Sequence, residues 1–376
     1  MNLKNPKDKI LFFVPLPPPI HGASLRNQAL IESKLINNSF DINIIPFNFA
    51  LKTNDIGRFS FYKISKSIKR AWTIIYTMIV FKPDIVYFNL SLYGFALYRD
   101  LVYVSIFKIF NANIVYHLRT QGVKKQANES YIKKKMFEFA FRNTHVICLS
   151  EYLGNDISDV YKPKPIIVNN GIEDVSIDYI DKDKDGKEGN VKILFLSNYT
   201  KTKGVNELIE AFRILKSKNI KFKALMVGSP ADLSFEYLIK KIVDCNLMNE
   251  VEILGPKYDK EKYKIFNEAD IFVLPTYFEA FPGVILEAMQ FGLPVVSTFE
   301  GAIQEIVDNG ITGFLVQKQN EAELAEKLEM LINNADMRLR MGENGKKKFT
   351  ENYTLTIFEK NMKQVFDKVL METSKN

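Results

Sequence analysis

The sequence predicts an α/β protein that contains two doubly wound parallel sheets. The chain has 376 residues, which is too long for one ordinary domain. Short, almost continuously apolar runs alternate with segments of helical length, as buried parallel strands and their crossover helices do. One charge-dense stretch without a strand, residues 173–190, interrupts this alternation. We therefore expect a domain of residues 1–172, a linker, and a second domain of residues 191–350.

Six strands are expected before the linker and five after it. The apolar runs of the first domain are residues 10–14, 41–46, 85–88, 113–116, 145–149 and 166–168. Those of the second domain are residues 192–197, 223–227, 251–254, 271–274 and 294–297. Helical segments lie between the strands, among them residues 24–36, 131–142, 205–218 and 283–291.

The composition excludes several classes of protein. Hydrophobic residues make up 47% of the chain, which is enough for packed cores. Cys148 and Cys245 are too few for a disulfide framework and stand in apolar surroundings, so we expect two small core residues in a reducing compartment. The polar opening MNLKNPKDK predicts no secretory signal. The apolar run 71–81 has about half of the ~20 residues that a spanning helix needs. We therefore expect a cytoplasmic protein.

The net charge of +7 is unevenly distributed between the two halves of the chain. Residues 1–171 hold 23 Lys and Arg against 11 Asp and Glu, whereas the remainder holds 28 against 33. Basic residues mix with aromatic ones in segments 59–72 and 124–135, which favours an anionic membrane surface as a partner. No nucleic-acid-binding motif accompanies the charge, so no nucleic acid is expected. The alternative is a set of solvated helix faces.

The linker ends in DKDKDGKEGN, which imitates the start of a calcium-binding loop. Position twelve of that loop would be Lys192, where a bidentate Glu is needed, and no helix pair is expected around it. Asp181 and Asp183 therefore favour a solvated linker over a metal site.

The stretch IFVLPTYFEAFPGVILEAMQFGLPVVST, residues 271–298, has the order strand, loop, helix, turn and strand. Pro282 and Gly283 open the helix, and Gly292 ends it. The loop lies at the carboxyl end of a parallel strand, where open α/β sheets bind ligands. The unpaired amides of Gly283, Val284 and Ile285, with the helix dipole, predict an anion site suited to a diphosphate.

Two carboxylates bracket this anion site. Glu279 lies in the loop, and Glu287 lies eight positions later in the helix. Carboxylates at the two ends of a diphosphate site suit the recognition of hydroxyls on a ribose and on a sugar. The alternative makes Glu279 a solvated loop charge and Glu287 a helix surface residue. A glycosidase would also use two carboxylates, but it would need no phosphate site.

The segment PTYFEAFPGVILEAMQFGLPVVST, with two Glu separated by seven residues, resembles the signature of retaining glycosyltransferase family 4. The resemblance covers nearly the whole chain, through PPPIHGAS, KPDIVYFN, NNGI, SNYTKTKGV, ADIFVLP, AIQEIVDNGITGFLV and NYTLTIF. It implies the GT-B fold, in which two Rossmann-like domains face each other across a cleft. It also implies a C-terminal helix, about residues 353–372, that packs back on the first domain.

The resemblance assigns roles to residues of the second domain. It implies that Glu279 contacts hydroxyls of the donor sugar and that Glu287 holds the ribose of the nucleotide. Lys203 matches the family's lysine, which neutralises charge on the departing diphosphate, whereas Asn198 stands where the family has an arginine. The amides of Gly283, Val284 and Ile285 are implied to bind the diphosphate, and Phe281 and Pro282 are implied to contact the donor beside them.

The first domain is expected to supply the rest of the donor and acceptor site. His21 follows the first strand, and Gly22 would let the backbone approach the donor phosphates. Ser24 would cap the helix that follows. Either His117 or Arg119 occupies the place where the family has a histidine that faces the reacting sugar. The alternatives are a loop residue without a task for His21 and a core residue for His117.

The resemblance implies transfer of a glycosyl group from a nucleotide-sugar donor with retention of configuration. The acceptor would be a glycan or a lipid-linked hydroxyl at the cytoplasmic membrane face, in the biosynthesis of cell-surface polysaccharide. No metal or other cofactor is expected, because GT-B enzymes generally work without one. The alternatives are a nucleotide-sugar-binding subunit without catalysis and a hydrolase or epimerase that acts on nucleotide sugars. An NAD-dependent oxidoreductase is disfavoured, since no GxGxxG follows the first strand.

Overall fold

A computed structural model describes residues 7–19, 21–47, 61–179 and 190–373. The chain divides into two compact units. The N-terminal unit consists of Met1–Asn170 with Thr356–Asn376, and the C-terminal unit consists of Gly171–Leu355. The first residues of the expected linker, 173–179, belong to the C-terminal unit. Asp181 and Asp183 lie outside the described residues.

The described residues form strands and helices in regular alternation. The strands are β1 (Lys9–Val14), β2 (Asp41–Pro46), β3 (Ile85–Phe88), β4 (Asn113–His117), β5 (His145–Cys148), β6 (Ile166–Ile167), β7 (Val191–Leu196), β8 (Phe222–Val227), β9 (Val251–Gly255), β10 (Ile271–Leu274), β11 (Val295–Thr298) and β12 (Gly313–Val316). The helices are α1 (Gly22–Glu32), α2 (Lys34–Ser39), α3 (Phe61–Val80), α4 (Gly94–Ile109), α5 (Val123–Glu129), α6 (Tyr131–Phe141), α7 (Glu151–Asn155), α8 (Val205–Ser217), α9 (Phe235–Asp244), α10 (Asp259–Glu268), α11 (Gly283–Gln290), α12 (Ile303–Ile306), α13 (Glu321–Asn333), α14 (Ala335–Asn352) and α15 (Leu355–Thr373).

The N-terminal unit is built on a parallel sheet with the strand order β2-β1-β3-β4-β5-β6. Its central strands are apolar on both faces because helices cover both sides of the sheet. The last helix of the chain, α15, is one of these helices. Phe366 of α15 packs edge-on against Phe12 and Tyr87, with ring centroids 6.0 and 5.7 Å apart.

The C-terminal unit contains a second parallel sheet, with the order β12-β11-β10-β7-β8-β9. The chain starts at β7, builds outward to β9, and then returns to the other side of β7 with β10. The point where the winding reverses lies between β7 and β10. In such sheets the loops at the carboxyl ends of these two strands diverge and leave a crevice for a ligand.

The predicted fold class of two doubly wound parallel sheets is confirmed, with differences in detail. β12 is a sixth strand of the C-terminal sheet that was not expected. It begins at Gly313, where a Cβ would lie 2.0 Å from the carbonyl oxygen of Val295 on the neighbouring strand. The expected helix 24–36 is two helices, because Ser33 ends α1 and caps α2 through the amide of Ile36.

The structure confirms the expectation for one of the two cysteines and contradicts it for the other. Cys148 is buried in β5, and burial raises the pKa of its thiol to about 12. Cys245 is only partly buried after α9, so the prediction of a second core cysteine was wrong. No helix among the described residues has the length and hydropathy needed to cross a bilayer.

Candidate functional site

The loops that follow β7 and β10 meet at the switch point of the C-terminal sheet. Thr276 is buried and donates a hydrogen bond from its hydroxyl to the carbonyl of Thr202, 3.0 Å away. The amide of Tyr277 donates to the same carbonyl at 2.9 Å. Gly204 has φ +71°, and a Cβ there would lie 2.1 Å from the carbonyl oxygen of Pro275. The approach of the two loops therefore requires glycine at this position.

Lys203 and Glu279 form an ion pair between these two loops. Each side chain is about one-fifth exposed, so the pair is shielded but within reach of a ligand. The second carboxylate oxygen of Glu279 accepts a hydrogen bond from the amide of Ala280 at 3.1 Å. The structure thus brings together the two residues for which catalytic roles were predicted. Each charge is balanced by its partner.

The loop after β11 supports the backbone of Glu279 from the other side. Gly301 has φ +53°, and a Cβ there would lie 2.1 Å from the carbonyl oxygen of Glu279. The amide of Ala302 donates to the carbonyl of Ala280 at 2.8 Å. Sequence reasoning did not find Gly301. A glycine soon after a predicted strand is the signal that could have drawn attention to it.

The helix α11 begins beside Glu279 and presents its first turn. Pro282 precedes the helix, and its side chain makes no capping hydrogen bond. The amides of Gly283 and Val284 lie in the first turn, where no acceptor is available within the helix. A Cβ on Gly283 would meet nothing within 4 Å, so there is open space at the helix start.

Two residues of this turn have different surroundings from those expected. The amide of Ile285 donates to the carbonyl of Pro282 at 3.1 Å, so the prediction that it is unpaired was wrong. The first turn tightens here, as helix ends often do. The Phe281 side chain is buried and packs against Tyr353, with ring centroids 6.3 Å apart. Phe281 therefore offers a ligand mainly its backbone.

Glu287 forms the second ion pair of the site. Its carboxylate lies 2.8 Å from the ammonium of Lys262 in α10, and each side chain is about one-fifth exposed. The Lys262 ammonium also lies 4.7 Å from the ring centroid of Tyr263. No local sequence pattern points to Lys262, because it lies on a different helix, 25 residues upstream of Glu287.

Asn198 lies at the start of the loop that carries Lys203. Its side chain is exposed, and its carbonyl accepts a hydrogen bond from the amide of Thr200 at 2.9 Å. A Cβ on Gly228 would lie 1.9 Å from the carbonyl oxygen of Ser197, so the loop starts tightly against its neighbour. The position has room for a longer side chain on its solvent side.

In the N-terminal unit, His21 caps the helix α1, which begins at Gly22. Nδ1 of His21 accepts a hydrogen bond from the amide of Ser24 at 3.2 Å, and the Ser24 hydroxyl accepts one from the amide of His21 at 3.0 Å. The prediction that Ser24 is the cap was wrong, because the helix starts two residues earlier and Ser24 completes the capping box. Burial lowers the pKa of His21, so the ring is neutral at pH 7. A Cβ on Gly22 would meet nothing within 4 Å, so open space adjoins it.

His117 and Arg119 share the hydroxyl of Tyr87. Nδ1 of His117 lies 2.7 Å from this oxygen, and a guanidinium nitrogen of Arg119 donates to it at 3.3 Å. His117 is fully buried, and this burial, followed by the charge of Arg119, holds its pKa well below the usual range. Arg119 also donates to the amide oxygen of Asn170 and lies over the ring of Phe358. Of the two residues between which the sequence left the choice open, only Arg119 is partly exposed.

The described residues bring no three His, Cys, Asp or Glu side chains together in a way that could hold a metal ion.

The chain is similar in sequence to known glycosyltransferases. Residues 177–348 match the model of the family described as glycosyl transferases group 1. A capsular polysaccharide biosynthesis glycosyltransferase, CapM of Staphylococcus aureus, is 30% identical over 256 residues, which are 65% of this chain and 66% of that protein. An uncharacterised glycosyltransferase of Methanocaldococcus jannaschii, MJ1178, is 32% identical over 219 residues, 57% of this chain and 58% of that one. The matched regions thus span less than two thirds of these relatives.

Solved structures share the fold over nearly the entire chain. A glycosyltransferase of Rickettsia africae has a TM-score of 0.71 at 20% identity, with 97% of this chain and 99% of that chain covered. The protein Alr3699/HepE of Anabaena, in complex with UDP, has a TM-score of 0.73 at 19% identity, with 96% and 100% covered. The expected GT-B fold is therefore confirmed, and residues 177–348 of the chain are similar to the glycosyl transferases group 1 family.

Proposed function

We propose that the chain transfers a glycosyl group from a nucleotide sugar to an acceptor hydroxyl, with retention of anomeric configuration. One observation carries this proposal. The Lys203–Glu279 ion pair lies at the switch point of the C-terminal sheet, beside a helix whose first-turn amides open onto free space. A cation, a carboxylate and a helix N-terminus in one place are what a sugar diphosphate needs.

The donor is proposed to lie along the start of α11. The amides of Gly283 and Val284, with the helix dipole, would bind the diphosphate. Glu287 would accept hydrogen bonds from the ribose, and Glu279 from hydroxyls of the sugar. In this arrangement the carboxylates at the two ends of the site fix the direction of the donor.

The ion pair would change partners when the donor binds. Lys203 would leave Glu279 and contact the diphosphate, because the phosphate oxygens carry the larger negative charge. Glu279 would then be available to the sugar hydroxyls. This exchange costs less free energy than breaking the ion pair and leaving both charges without partners, since each group finds a new polar partner.

The proposed reaction breaks the bond between the anomeric carbon and the diphosphate oxygen. The acceptor oxygen forms its bond to the anomeric carbon on the same face, and its proton passes to the departing phosphate oxygen. Lys203 and the amides of α11 stabilise the negative charge that develops on the nucleoside diphosphate. The remaining contribution of the protein is to position the two reactants, and no resident metal takes part.

The acceptor is proposed to be a glycan or a lipid-linked hydroxyl at the cytoplasmic face of the membrane. The excess of Lys and Arg in residues 1–171 supports a membrane-associated acceptor. The names of relatives, which include capsular polysaccharide, amylovoran and colanic acid biosynthesis glycosyltransferases, support a place in the synthesis of cell-surface polysaccharide.

A donor screen followed by a turnover assay tests the proposal. UDP-, GDP-, ADP- and dTDP-sugars are compared by thermal shift. UDP-glucose is taken first, because it is bound in a solved neighbour of the same fold. A donor at a hundred times its dissociation constant should add about 2.7 kcal/mol of stability. Nucleotide release that depends on an acceptor, with an α-configured product from an α-configured donor, is the expected result.

Other outcomes would contradict the proposal in distinct ways. Donor consumption by water alone would make the chain a hydrolase, and conversion of the donor sugar would make it an epimerase. Tight donor binding without turnover on any membrane or glycan acceptor would favour a binding subunit. A product of inverted configuration would remove the same-face mechanism.

A further inference from the structure

The helix α3 is apolar on the side that faces away from the N-terminal core. Ile68, Trp72, Tyr76 and Ile79 are each more than half exposed. Their spacing of three and four residues places them within roughly a quarter of the helix circumference. The inner side of the same helix is already filled, by buried residues such as Ile74 and Met78. The outer stripe is therefore additional to what the fold requires.

The neighbouring helix α4 carries a second stripe of the same kind. Its exposed members are Phe95, Tyr98, Val102 and Ile109, and its inner side is buried through residues such as Leu97, Tyr103 and Phe107. The two helices pack side by side, and the hydroxyl of Tyr103 donates to the carbonyl of Ser67 at 3.2 Å. We refer to the eight exposed residues Ile68, Trp72, Tyr76, Ile79, Phe95, Tyr98, Val102 and Ile109 as the α3–α4 face.

The two stripes converge where the helices end. Met78, Ile79, Lys82, Pro83 and Phe110 line an open groove of about 420 Å³ there. Its walls are apolar apart from Lys82, whose side chain is exposed. An apolar groove with one cation at its edge suits a ligand that has a hydrocarbon chain and an anionic head.

Positive charge surrounds the α3–α4 face. Residues 61–109, which contain both helices, hold seven basic residues and two acids, Asp84 and Asp100, and Asp100 is buried in an ion pair with Arg99. Lys69 and Lys82 are exposed at opposite ends of the α3 stripe, and Arg70 is partly exposed. Apolar and aromatic side chains within a ring of cations are the pattern of a helix that lies in the surface of an anionic bilayer.

We propose that the α3–α4 face docks the protein on an anionic phospholipid bilayer and lies in the headgroup region without crossing it. Trp72, Tyr76 and Tyr98 have the amphipathic rings that favour this depth, and the lysines contact the lipid phosphates. The docking proposal deepens the proposed function. It rests on that function for the explanation of why the protein binds a membrane, namely that its acceptor is there. The docking itself is measured without turnover.

Charge favours a bilayer over a second copy of the chain. Two copies that met through this face would bring like charges together, and burial would strengthen the repulsion. An anionic bilayer offers the opposite charge. Eight large exposed side chains on adjoining helices also exceed the scattered apolar residues of an ordinary surface.

The chain contains its own reporter for this docking. Trp72 is the only tryptophan in the sequence, and its side chain is 68% exposed on the α3–α4 face. The full chain is mixed with phosphatidylcholine vesicles that contain or lack phosphatidylglycerol. With the anionic vesicles we expect the Trp72 emission to shift to shorter wavelength and to be quenched by brominated acyl chains. Added salt should reduce both effects, since screening weakens the attraction to the lipids.

Variants that keep Trp72 separate the two contributions. The pair K69Q and K82Q should weaken partition onto anionic vesicles about thirtyfold, because each lysine near the surface contributes about a fivefold factor. The pair Y76S and I79S should lower it by at least tenfold. The control pair K221Q and K347Q removes two exposed lysines of the C-terminal unit and should leave partition unchanged.

Several results would overturn the proposal. The first is that anionic vesicles leave the Trp72 emission unchanged although the protein still binds a nucleotide sugar. The second is that the protein binds neutral vesicles in high salt as well as it binds anionic vesicles. The third is that, without lipid, the Trp72 emission shifts to shorter wavelength as the protein concentration rises and the mass becomes that of a dimer. Donor turnover without vesicle binding would retain the proposed function and reject the docking. Vesicle binding without donor turnover would retain the docking and reject the proposed function.

Discussion

The carboxyl ends of the two sheets use polar residues in opposite ways. In the C-terminal unit, Lys203 and Glu279 are charged, partly exposed and paired across two loops. In the N-terminal unit, His117 is fully buried and neutral, and it is held by Tyr87 beside Arg119. An exposed ion pair can exchange partners with an anionic ligand at little cost, whereas a buried neutral network fixes a shape. The comparison leads us to expect that the C-terminal side chains exchange partners around a charged ligand on a rigid pair of loops, and that the N-terminal network keeps its arrangement.

Removal of the Glu279 charge should have the largest effect. In E279Q we expect turnover to fall roughly 100- to 1,000-fold, about 3–4 kcal/mol, if the carboxylate acts mainly on the reacting sugar. Nucleotide affinity should change little, because Lys203 remains free to bind the diphosphate. Turnover is measured with saturating donor, and nucleotide binding by calorimetry.

The control for this variant is E343Q, which removes an exposed carboxylate from α14 of the same unit. It should behave like the parent protein in both measurements. An E279Q protein with parental turnover would show that Glu279 is a solvated loop charge, and the contrast between the two sheet ends would lose its functional meaning.

The close approach of the two loops should be the next most sensitive feature. In G204A the added Cβ has φ +71° and would lie 2.1 Å from the carbonyl oxygen of Pro275. We expect the free energy of unfolding of the C-terminal unit to fall by about 2–4 kcal/mol, through strain and displaced backbone. Denaturant unfolding followed by circular dichroism measures this change.

Gly310 provides a matched control in the same unit. It has φ +80°, but a Cβ there would meet nothing within 4 Å. G310A should therefore lose only about 1–2 kcal/mol from the left-handed backbone. Equal losses in G204A and G310A would mean that the loops can separate without cost, contrary to a rigid support for the ion pair.

The sequence predicted most of the fold and part of the site, for physical reasons that differ between them. The buried parallel strands were found because apolar runs such as β3 and β10 are local signals. Glu279 and Glu287 were found because they lie in one contiguous segment with the helix start. Lys262 could not be found, because its approach to Glu287 depends on how α10 packs, and no local pattern encodes that distance. The close contacts at Gly204 and Gly301 depend in the same way on pairs of loops distant in sequence.

The buried network of the N-terminal unit should respond to pH. Burial lowers the folded-state pKa of His117 below its unfolded value of about 6.5. Between these two values the unfolded chain binds a proton that the folded chain does not bind. The corresponding stability is complete above pH 6.5 and is lost as the pH falls, by up to about 1.4 kcal/mol per pH unit. Denaturant unfolding from pH 7.5 downward measures the slope.

The variant H117Q should have a shallower slope than the parent protein, although it is less stable near neutral pH. The control H145Q changes a half-buried histidine of the same unit and should keep most of the slope. Parallel slopes in the parent protein and H117Q would mean that His117 titrates freely. In that case the N-terminal network would not be the rigid counterpart of the C-terminal ion pair.

The smallest effect is expected where the sequence departs from the family that it resembles. Asn198 is exposed in the loop of Lys203, so an arginine there would remain largely hydrated and would gain only part of a charge-assisted contact with the diphosphate. We expect N198R to tighten nucleoside diphosphate binding about two- to fivefold in low salt and to lose that gain as salt is added. T350R, which adds the same charge at an exposed position of α14, should leave binding unchanged.

A tenfold or larger gain that survives high salt would place the new guanidinium in direct, shielded contact with the phosphates. Lys203 would then be an incomplete substitute for the missing charge. Weaker binding in N198R would instead show that the loop is already arranged around asparagine, and that the partner exchange of Lys203 alone satisfies the ligand's charge.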